Sequence, residues 1–291
     1  MSKIGLIVEG GGMKCAYSAG VLDAFLDENI NFDYALGVSA GSANIASFLA
    51  GQRGRNLRFY TTHIHEPDYF GMHSLIKTGN LFGLQYIYGT LSNSYGADAL
   101  DWDTLVKNPT EYKVVATDAQ TGLPKVFDKS EMHKDNYIQI MASCALPAAC
   151  KPVYVDGKPY FDGGVSDSFP YEVALSDGCD KLVILMSKNK DFVKKPEAHK
   201  PLYTAMCHKY PKIVDCLNNR HINYTRQQHE IYKMEKEGKA FIFAPSKHLA
   251  MGTYAMDEIS NKKLYDLGIK DFYDNKNAFL SFLGIEKKNA V

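Results

Sequence analysis

Within the first fifty residues, a short apolar run, a glycine-containing turn and a helical pattern occur twice in succession. Ile4-Gly5-Leu6-Ile7-Val8 offers no polar residue for a solvated face, so it reads as a strand buried on both sides. Gly10 to Gly12 follow, and then a helical pattern from Lys14 to about Glu28. Tyr34 to Val38 is a second apolar strand, and Ser42 to Ala50 a second helix rich in small residues. Strand, turn and helix in alternation specify an α/β sheet, and little else is compatible with that opening.

Later segments continue the pattern. Strands are expected at Lys113 to Thr117, around Val153 to Val155 and at Lys181 to Met186, with helices around Asn136 to Cys144 and Pro170 to Leu175. A three-layer α/β/α sandwich with a mainly parallel central sheet is the natural product. From Lys188 to Pro201 the composition turns to Lys, Pro and Asp, as in a loop. Tyr203 to Lys236 reads as mainly helical, Ala240 to Ala244 as a further strand and Asp257 to Asp274 as a further helix. The segment from Asp68 to Leu91 breaks the alternation and is crowded with Tyr, Phe, Leu and Ile. It is expected either to pack on the core or to form an apolar lid or acyl-chain wall.

Composition excludes some classes. With 291 residues, 45% of them hydrophobic, the chain can bury a core without disulfide or metal staples. Lys plus Arg and Asp plus Glu each number 33, so no net field recruits nucleic acid, and none is expected as a partner. The cysteines, at 15, 144, 150, 179, 207 and 216, show no CxxC pair and none of the spacing of a zinc site. They read as reduced thiols of a cytoplasmic protein. The N-terminal apolar run stops at Glu9, too early for a signal peptide's apolar core, and no run reaches membrane-spanning length. Contact with a membrane surface stays open.

Three short motifs carry chemistry. Gly37-Val38-Ser39-Ala40-Gly41 fits the GxSxG nucleophile elbow, in which a strand turns sharply into a helix and presents a serine hydroxyl. Its glycines leave room where side chains would collide. The helix that follows aims its N-terminus at Ser39, where dipole and free N–H groups favour developing negative charge. Gly10-Gly11-Gly12-Met13-Lys14 follows the first strand, and consecutive glycines let backbone N–H groups converge on an oxyanion. A dinucleotide fingerprint would need glycine where Cys15 stands, and a P-loop would need Lys then Ser or Thr after a later glycine, so both are excluded. Phe161-Asp162-Gly163-Gly164 follows a β-hairpin turning at Gly157, and Asp162 at a strand end beside glycines can accept the Ser39 proton.

In this order, the three motifs resemble the patatin-like phospholipase family, and Ala142-Ser143-Cys144-Ala145-Leu146-Pro147 is similar to another segment typical of it. The resemblance covers residues 3 to about 187, and extends more loosely into a helical tail like that of a bacterial patatin-like subgroup. It implies a catalytic domain over 1–187 and a mainly helical extension over 188–291 packed on it. It also implies a Ser39–Asp162 dyad with no catalytic histidine, acting through an acyl-enzyme on acyl esters of phospholipids or related lipids. The N–H groups of the Gly10, Gly11 and Gly12 loop, chiefly those of Gly11 and Gly12, would hold the oxyanion, and Lys14 would position that loop or a headgroup. No metal or cofactor is required. Two letters depart from the family pattern: Glu9 stands where an aspartate is usual, and Cys15 where a glycine is usual.

Other readings compete. A Ser-His-Asp triad of the α/β-hydrolase kind would take His248 as its histidine, but that fold places several strands before its elbow and here one precedes. A non-catalytic lipid-binding module would be marked by loss of Ser39 or Asp162, and both are present. His63 and His65 read as surface histidines rather than metal ligands, and Arg53, Arg55 and Arg58 as a solvated basic face rather than a phosphate grip.

Overall fold

A computed structural model describes residues 2–248 and 255–285, and in it the alternation is realised. β1 (Ile4–Val8) leads through a short 3₁₀ turn, Gly12–Cys15, into α1 (Ala16–Asp27). The first helix thus starts two residues later than Lys14, because the glycine loop turns first. β2 (Tyr34–Val38) and α2 (Ala40–Leu49) are joined by Ser39 alone. Three short helices, α3 (Arg55–Tyr60), α4 (Met72–Thr78) and α5 (Trp102–Lys107), with a π-helical stretch Gln85–Leu91, fill the connection to β3 (Glu111–Asp118). There follow β4 (Pro124–Asp128), α6 (Ile138–Cys144), the hairpin of β5 (Val153–Val155) and β6 (Lys158–Asp162), α7 (Tyr171–Ser176) and β7 (Lys181–Leu185). The chain closes through α8 (Lys200–Met206), α9 (Pro211–Lys236), β8 (Ala240–Phe243) and α10 (Glu258–Leu283).

The sheet order is β5-β6-β3-β2-β1-β7-β8, with β4 also paired to β3. The five strands from β3 to β8 run parallel, and β4, β5 and β6 form an antiparallel end. β1 lies in the middle, and the chain builds outward from it in both directions. Such a reversal opens a crevice at the carboxyl ends of the strands, where open α/β sheets bind ligands. Register carries this to the residue level: Val8 is opposite both Gly37 of β2 and Leu185 of β7. The loops after three adjacent strands therefore leave the sheet at one height.

Both faces of the sheet are covered. Leu6, Val8, Ala35, Val114, Val183 and Leu185 pack on one side against α1, α2 and α10. Ile7, Leu36, Val38, Val115, Leu182 and Ile184 pack on the other against α7 and α9. Alternate side chains pointing to opposite, equally dry faces explain why the strands read as unbroken apolar runs. β4 escaped notice because it is an edge strand with one fully buried residue, Phe127, so neither a run nor a clean alternation marks it.

α10 runs on past Asp274 to Leu283 because its last turns dock. Phe279 is fully buried, stacked on Phe25 at 5.2 Å between ring centres, with Phe272 and Phe243 edge-on to the same ring. The antiparallel-sheet end needs no such helix; the α1–α10 contact does, and it is close because glycines meet there. A Cβ at Gly20 would lie 2.0 Å from the Tyr265 carbonyl oxygen, and one at Gly268 2.2 Å from that of Tyr17. Alanine raises helix propensity by about 1 kcal/mol over glycine, whereas forcing packed backbones apart costs about 1–3 kcal/mol. Gly268→Ala is therefore expected to lower stability despite its better propensity, read as a lower urea midpoint with unchanged slope; a midpoint at or above the wild-type value would contradict this packing.

Candidate active site

Ser39 is the single residue between β2 and α2, and its backbone sits at φ 54°, ψ −133°. A left-handed, sparsely populated conformation of this kind costs about 1–3 kcal/mol for a residue with a side chain. The turn is too tight for neighbours with side chains: a Cβ at Gly37 would lie 2.4 Å from Ser42 Cα, and one at Gly41 2.4 Å from the Val8 oxygen. The elbow is locked from behind by Ser143 of α6. The Ser39 N–H donates to Ser143 Oγ at 2.7 Å, and that hydroxyl donates to the Val115 carbonyl of β3 at 2.6 Å. Strain at Ser39 is thus held by a buried hydrogen-bond bridge to the neighbouring strand.

Asp162 ends β6, on the far side of β3 from β2. Val38 pairs with Val115 and Asp162 with Ala116, so the register brings Asp162 to the same height as Ser39. Ser39 Oγ donates to Asp162 Oδ2 at 2.6 Å, and the Gly164 N–H donates to Oδ1 at 2.8 Å. The carboxylate is 5% exposed. Burial pushes its pKa up from the usual carboxylate range, opposed first by the charge of Arg220 and then by the Ser39 hydrogen bond. Raising a carboxyl in this way makes it a stronger base than a solvated aspartate.

The glycine loop, Gly10 to Gly12, adjoins Ser39 through Gly10. A Cβ at Gly10 would come within 2.8 Å of Ser39 Cβ. Among the described residues no protein acceptor takes their three amides, and all three glycines line the same cavity as Ser39 and Asp162. Both departures from the family letters have partners. Glu9 is buried, and its carboxylate accepts from the Ser187 N–H at 2.6 Å, the Ser187 hydroxyl at 3.0 Å, the Tyr224 hydroxyl at 3.1 Å and the Lys188 ammonium. Cys15 donates its thiol to the Glu9 carbonyl at 3.4 Å, tying the 3₁₀ turn to the end of β1. Lys14 lies within that turn, half-buried and outside the cavity lining, its pKa lowered by burial and then by the charge of Lys188.

The cavity has a volume of about 310 Å³. It follows α2 away from Ser39, past Ala40, Ala43 and Asn44, to α3. Tyr69, Phe82, Leu84, Ile87 and Tyr88 give it an apolar wall, and the same segment packs on the core through Tyr69, Ile87 and Leu91, so Asp68 to Leu91 does both. Among the described residues, no histidine lines the cavity. His248 is an exposed side chain paired with Asp191 at 3.1 Å, which leaves the triad reading without its third member.

Two surface readings are corrected. Arg55 is 5% exposed, donating to the Asp98 carbonyl at 2.8 Å, Ser47 Oγ at 2.8 Å and Ser92 Oγ at 2.9 Å. His63 is buried too, 2.9 Å from the Asp98 carboxylate that Arg58 grips at 2.6 Å and 2.8 Å. Burial pushes the Asp98 carboxyl up, but Arg58, His63 and Arg55 together hold it below its usual range. A single buried carboxylate gathers these side chains, and the sequence spacing does not show it. Arg53 pairs with Asp27 and His65 with Glu258 at exposed sites.

Ser143, Ser187, Lys188, Arg220 and Tyr224 also shape the site. Ser143 lies in the Ala142–Pro147 segment similar to one typical of the family; Arg220 and Tyr224 belong to an ordinary amphipathic helix with no local signal.

The fold is an α/β protein with a mainly parallel sheet, and a strained serine elbow, an adjoining glycine loop and an aspartate at hydrogen-bond distance meet in one cavity at its strand ends. Residues 6–175 match the model of the patatin-like phospholipase family, and the chain belongs to that family. Residues 210–284 match a second model, described as a domain of unknown function, DUF6363. An uncharacterized protein of Escherichia coli (strain K12), YjjU, is 28% identical over 201 residues, covering 67% of this chain and 55% of that one. The match thus spans about half of the relative's length. The crystal structure of VipD from Legionella pneumophila is similar over 96% of this chain and 67% of its own, with a TM-score of 0.48 and 12% identity. No helix among the described residues is long and apolar enough to cross a membrane.

Removing the Ser143 hydroxyl strands a buried N–H on Ser39 and a buried carbonyl on Val115, and an unmade buried hydrogen bond costs about 1–3 kcal/mol. Ser143→Ala is expected to lose about that much stability by denaturant titration and to slow the reaction of Ser39 with a fluorophosphonate. Wild-type values for both would mean that the bridge does not hold the elbow.

Proposed function

We propose that the protein is a lipid acyl hydrolase that cleaves carboxylic esters with a Ser39–Asp162 dyad. The observation that carries this reading is the 2.6 Å hydrogen bond from Ser39 to a buried Asp162 at the polar end of an apolar-walled cavity. Membership of the patatin-like phospholipase family supports a lipid ester as substrate. The six free cysteines fit the reducing cytoplasm as its place of action.

In this mechanism the acyl chain lies along the wall formed by Tyr69 to Tyr88, and its carbonyl carbon faces Ser39 Oγ. As Oγ attacks, its proton passes to Asp162 Oδ2, and the amides of Gly11 and Gly12, with that of Gly10 adjoining, receive the oxyanion. Collapse of the tetrahedral intermediate expels the alcohol, which takes the proton from Asp162. Water then attacks the acyl-enzyme and gives a proton to Asp162; the second tetrahedral intermediate expels Ser39 Oγ, which takes that proton back from Asp162 as the acid leaves, restoring both residues. Loosening by strain at Ser39 is not required; the strained turn serves to present the hydroxyl before substrate arrives.

The decisive assay is a chain-length series of p-nitrophenyl esters and phospholipids. Ser39→Ala is expected to abolish turnover, Asp162→Asn to lower kcat by about 10²–10⁴-fold, and His248→Ala to leave the rate unchanged. Wild-type rates in the first two variants, or loss of activity in the third, would overturn the dyad. Phe82, across a ring contact of 4.7 Å from Phe70, lines the cavity, so the paired change Phe70→Ser with Phe82→Ser is expected to weaken long-chain turnover more than short-chain turnover. Equal losses on both would show that this wall does not hold the acyl chain.

A further inference from the structure

The segment matched by the domain of unknown function, residues 210–284, reaches the candidate site through one helix. α9 crosses behind the Asp162 turn and presents Arg220 and Tyr224 to the cavity lining. The two residues are four apart, hence on one face of the helix. Tyr224 donates to the buried Glu9 under the glycine loop at 3.1 Å. Arg220 Nε donates to the Gly164 carbonyl at 2.6 Å, and the N–H of that same glycine donates to Asp162 Oδ1 at 2.8 Å. The guanidinium is in turn held from outside: its Nη1 donates to Glu197 Oε1 at 3.1 Å, and Lys194 grips the same carboxylate at 2.6 Å.

We propose that Arg220 is a positioning residue for the general base, holding the Asp162–Gly164 turn against Ser39, and that the segment of unknown function thereby supplies part of the active site. This rests on the reading of Asp162 as the base of Ser39. The geometry assigns Arg220 two separable effects. Its planar fork fixes the turn, which sets the Ser39–Asp162 alignment at every pH. Its charge, the largest influence opposing the burial of Asp162, favours the ionised carboxylate.

The second effect has a sign. A general base works only when ionised, so activity falls as pH drops through its pKa. Taking away the cation raises that pKa further, and the acid limb of the pH profile moves to higher pH. The other groups facing Asp162 do not mask this. They are Lys188, a second cation from the loop after β7, and the thiols of Cys15, Cys144 and Cys150; burial pushes all three thiols up, that of Cys150 to about 12, so they stay neutral.

The test compares full-length wild type, Arg220→Lys, Arg220→Gln and Arg226→Gln by the pH dependence of kcat/KM on p-nitrophenyl butyrate and by the rate at which a fluorophosphonate labels Ser39. Arg226 shares the helix but pairs with Glu172 at the surface, so its variant controls for loss of any helix charge. Arg220→Gln is expected to lose a larger fraction of kcat/KM at about pH 6 than at about pH 9, with kcat changed more than KM. Arg220→Lys keeps the acid limb near its wild-type position but stays slower at every pH, because an ammonium cannot reproduce the fork. A profile of unchanged shape in Arg220→Gln, whether or not its denaturation midpoint falls, would reduce Arg220 to a structural contact and overturn the proposal. Wild-type rates in Ser39→Ala or Asp162→Asn would instead overturn the dyad itself, which keeps the two failures apart.

Discussion

A strand buried on both faces must hand over to a helix through one residue, and the rest of the site is arranged around that constraint. Ser39 takes a backbone conformation that a side chain resists. Gly37 and Gly41 provide the clearance, and the Ser143 bridge to Val115 holds the turn in place. Because β1, β2 and β7 end level with one another, the same turn falls beside the glycine loop and beside the chain leaving β7. The crevice is thus a consequence of register, and the chemistry occupies what the sheet leaves open.

Two buried carboxylates stand in that crevice, and the chain treats them differently. Glu9 receives two N–H or hydroxyl donors from Ser187, a third from Tyr224 and a cation from Lys188. With so many donors, the Glu9 side chain braces the glycine loop. Asp162 has one backbone donor, the Ser39 hydroxyl and a cation held beyond Gly164. Burial outweighs these and leaves it with a raised affinity for a proton. The two side chains thus differ in how fully their oxygens are satisfied.

The C-terminal part of the chain enters this balance directly. β8 extends the parallel sheet beyond β7, α10 closes over α1 where Gly20 and Gly268 meet, and α9 reaches the Glu9 carboxylate through Tyr224 and the turn after Asp162 through Arg220. Residues separated by more than two hundred positions, Glu9 and Tyr224, share a hydrogen bond. Contacts of this range carry no local pattern, since each partner looks ordinary within its own helix or strand.

Legibility followed locality. Strands such as Ile4–Val8 and Tyr34–Val38 were plain because burial on both faces leaves an unbroken apolar run, and the elbow was plain because sterics confine glycine and serine to fixed spacing within five residues. The edge strand Pro124–Asp128 and the end of α10 were hidden, since one has little burial to record and the other is helical through the docking of Phe279. Arg55 and His63 looked like surface charge until Asp98, forty residues along, drew them inward. By itself the sequence determined the α/β class, the elbow at Ser39, the glycine loop and the aspartate at 162, each set by steric rules acting over a few neighbours. Only the tertiary structure decided that Asp162 meets Ser39 across β3, that Ser143 holds the turn and that Arg220 reaches the Gly164 carbonyl beside Asp162, because strand register and helix docking bring together residues that no local rule connects.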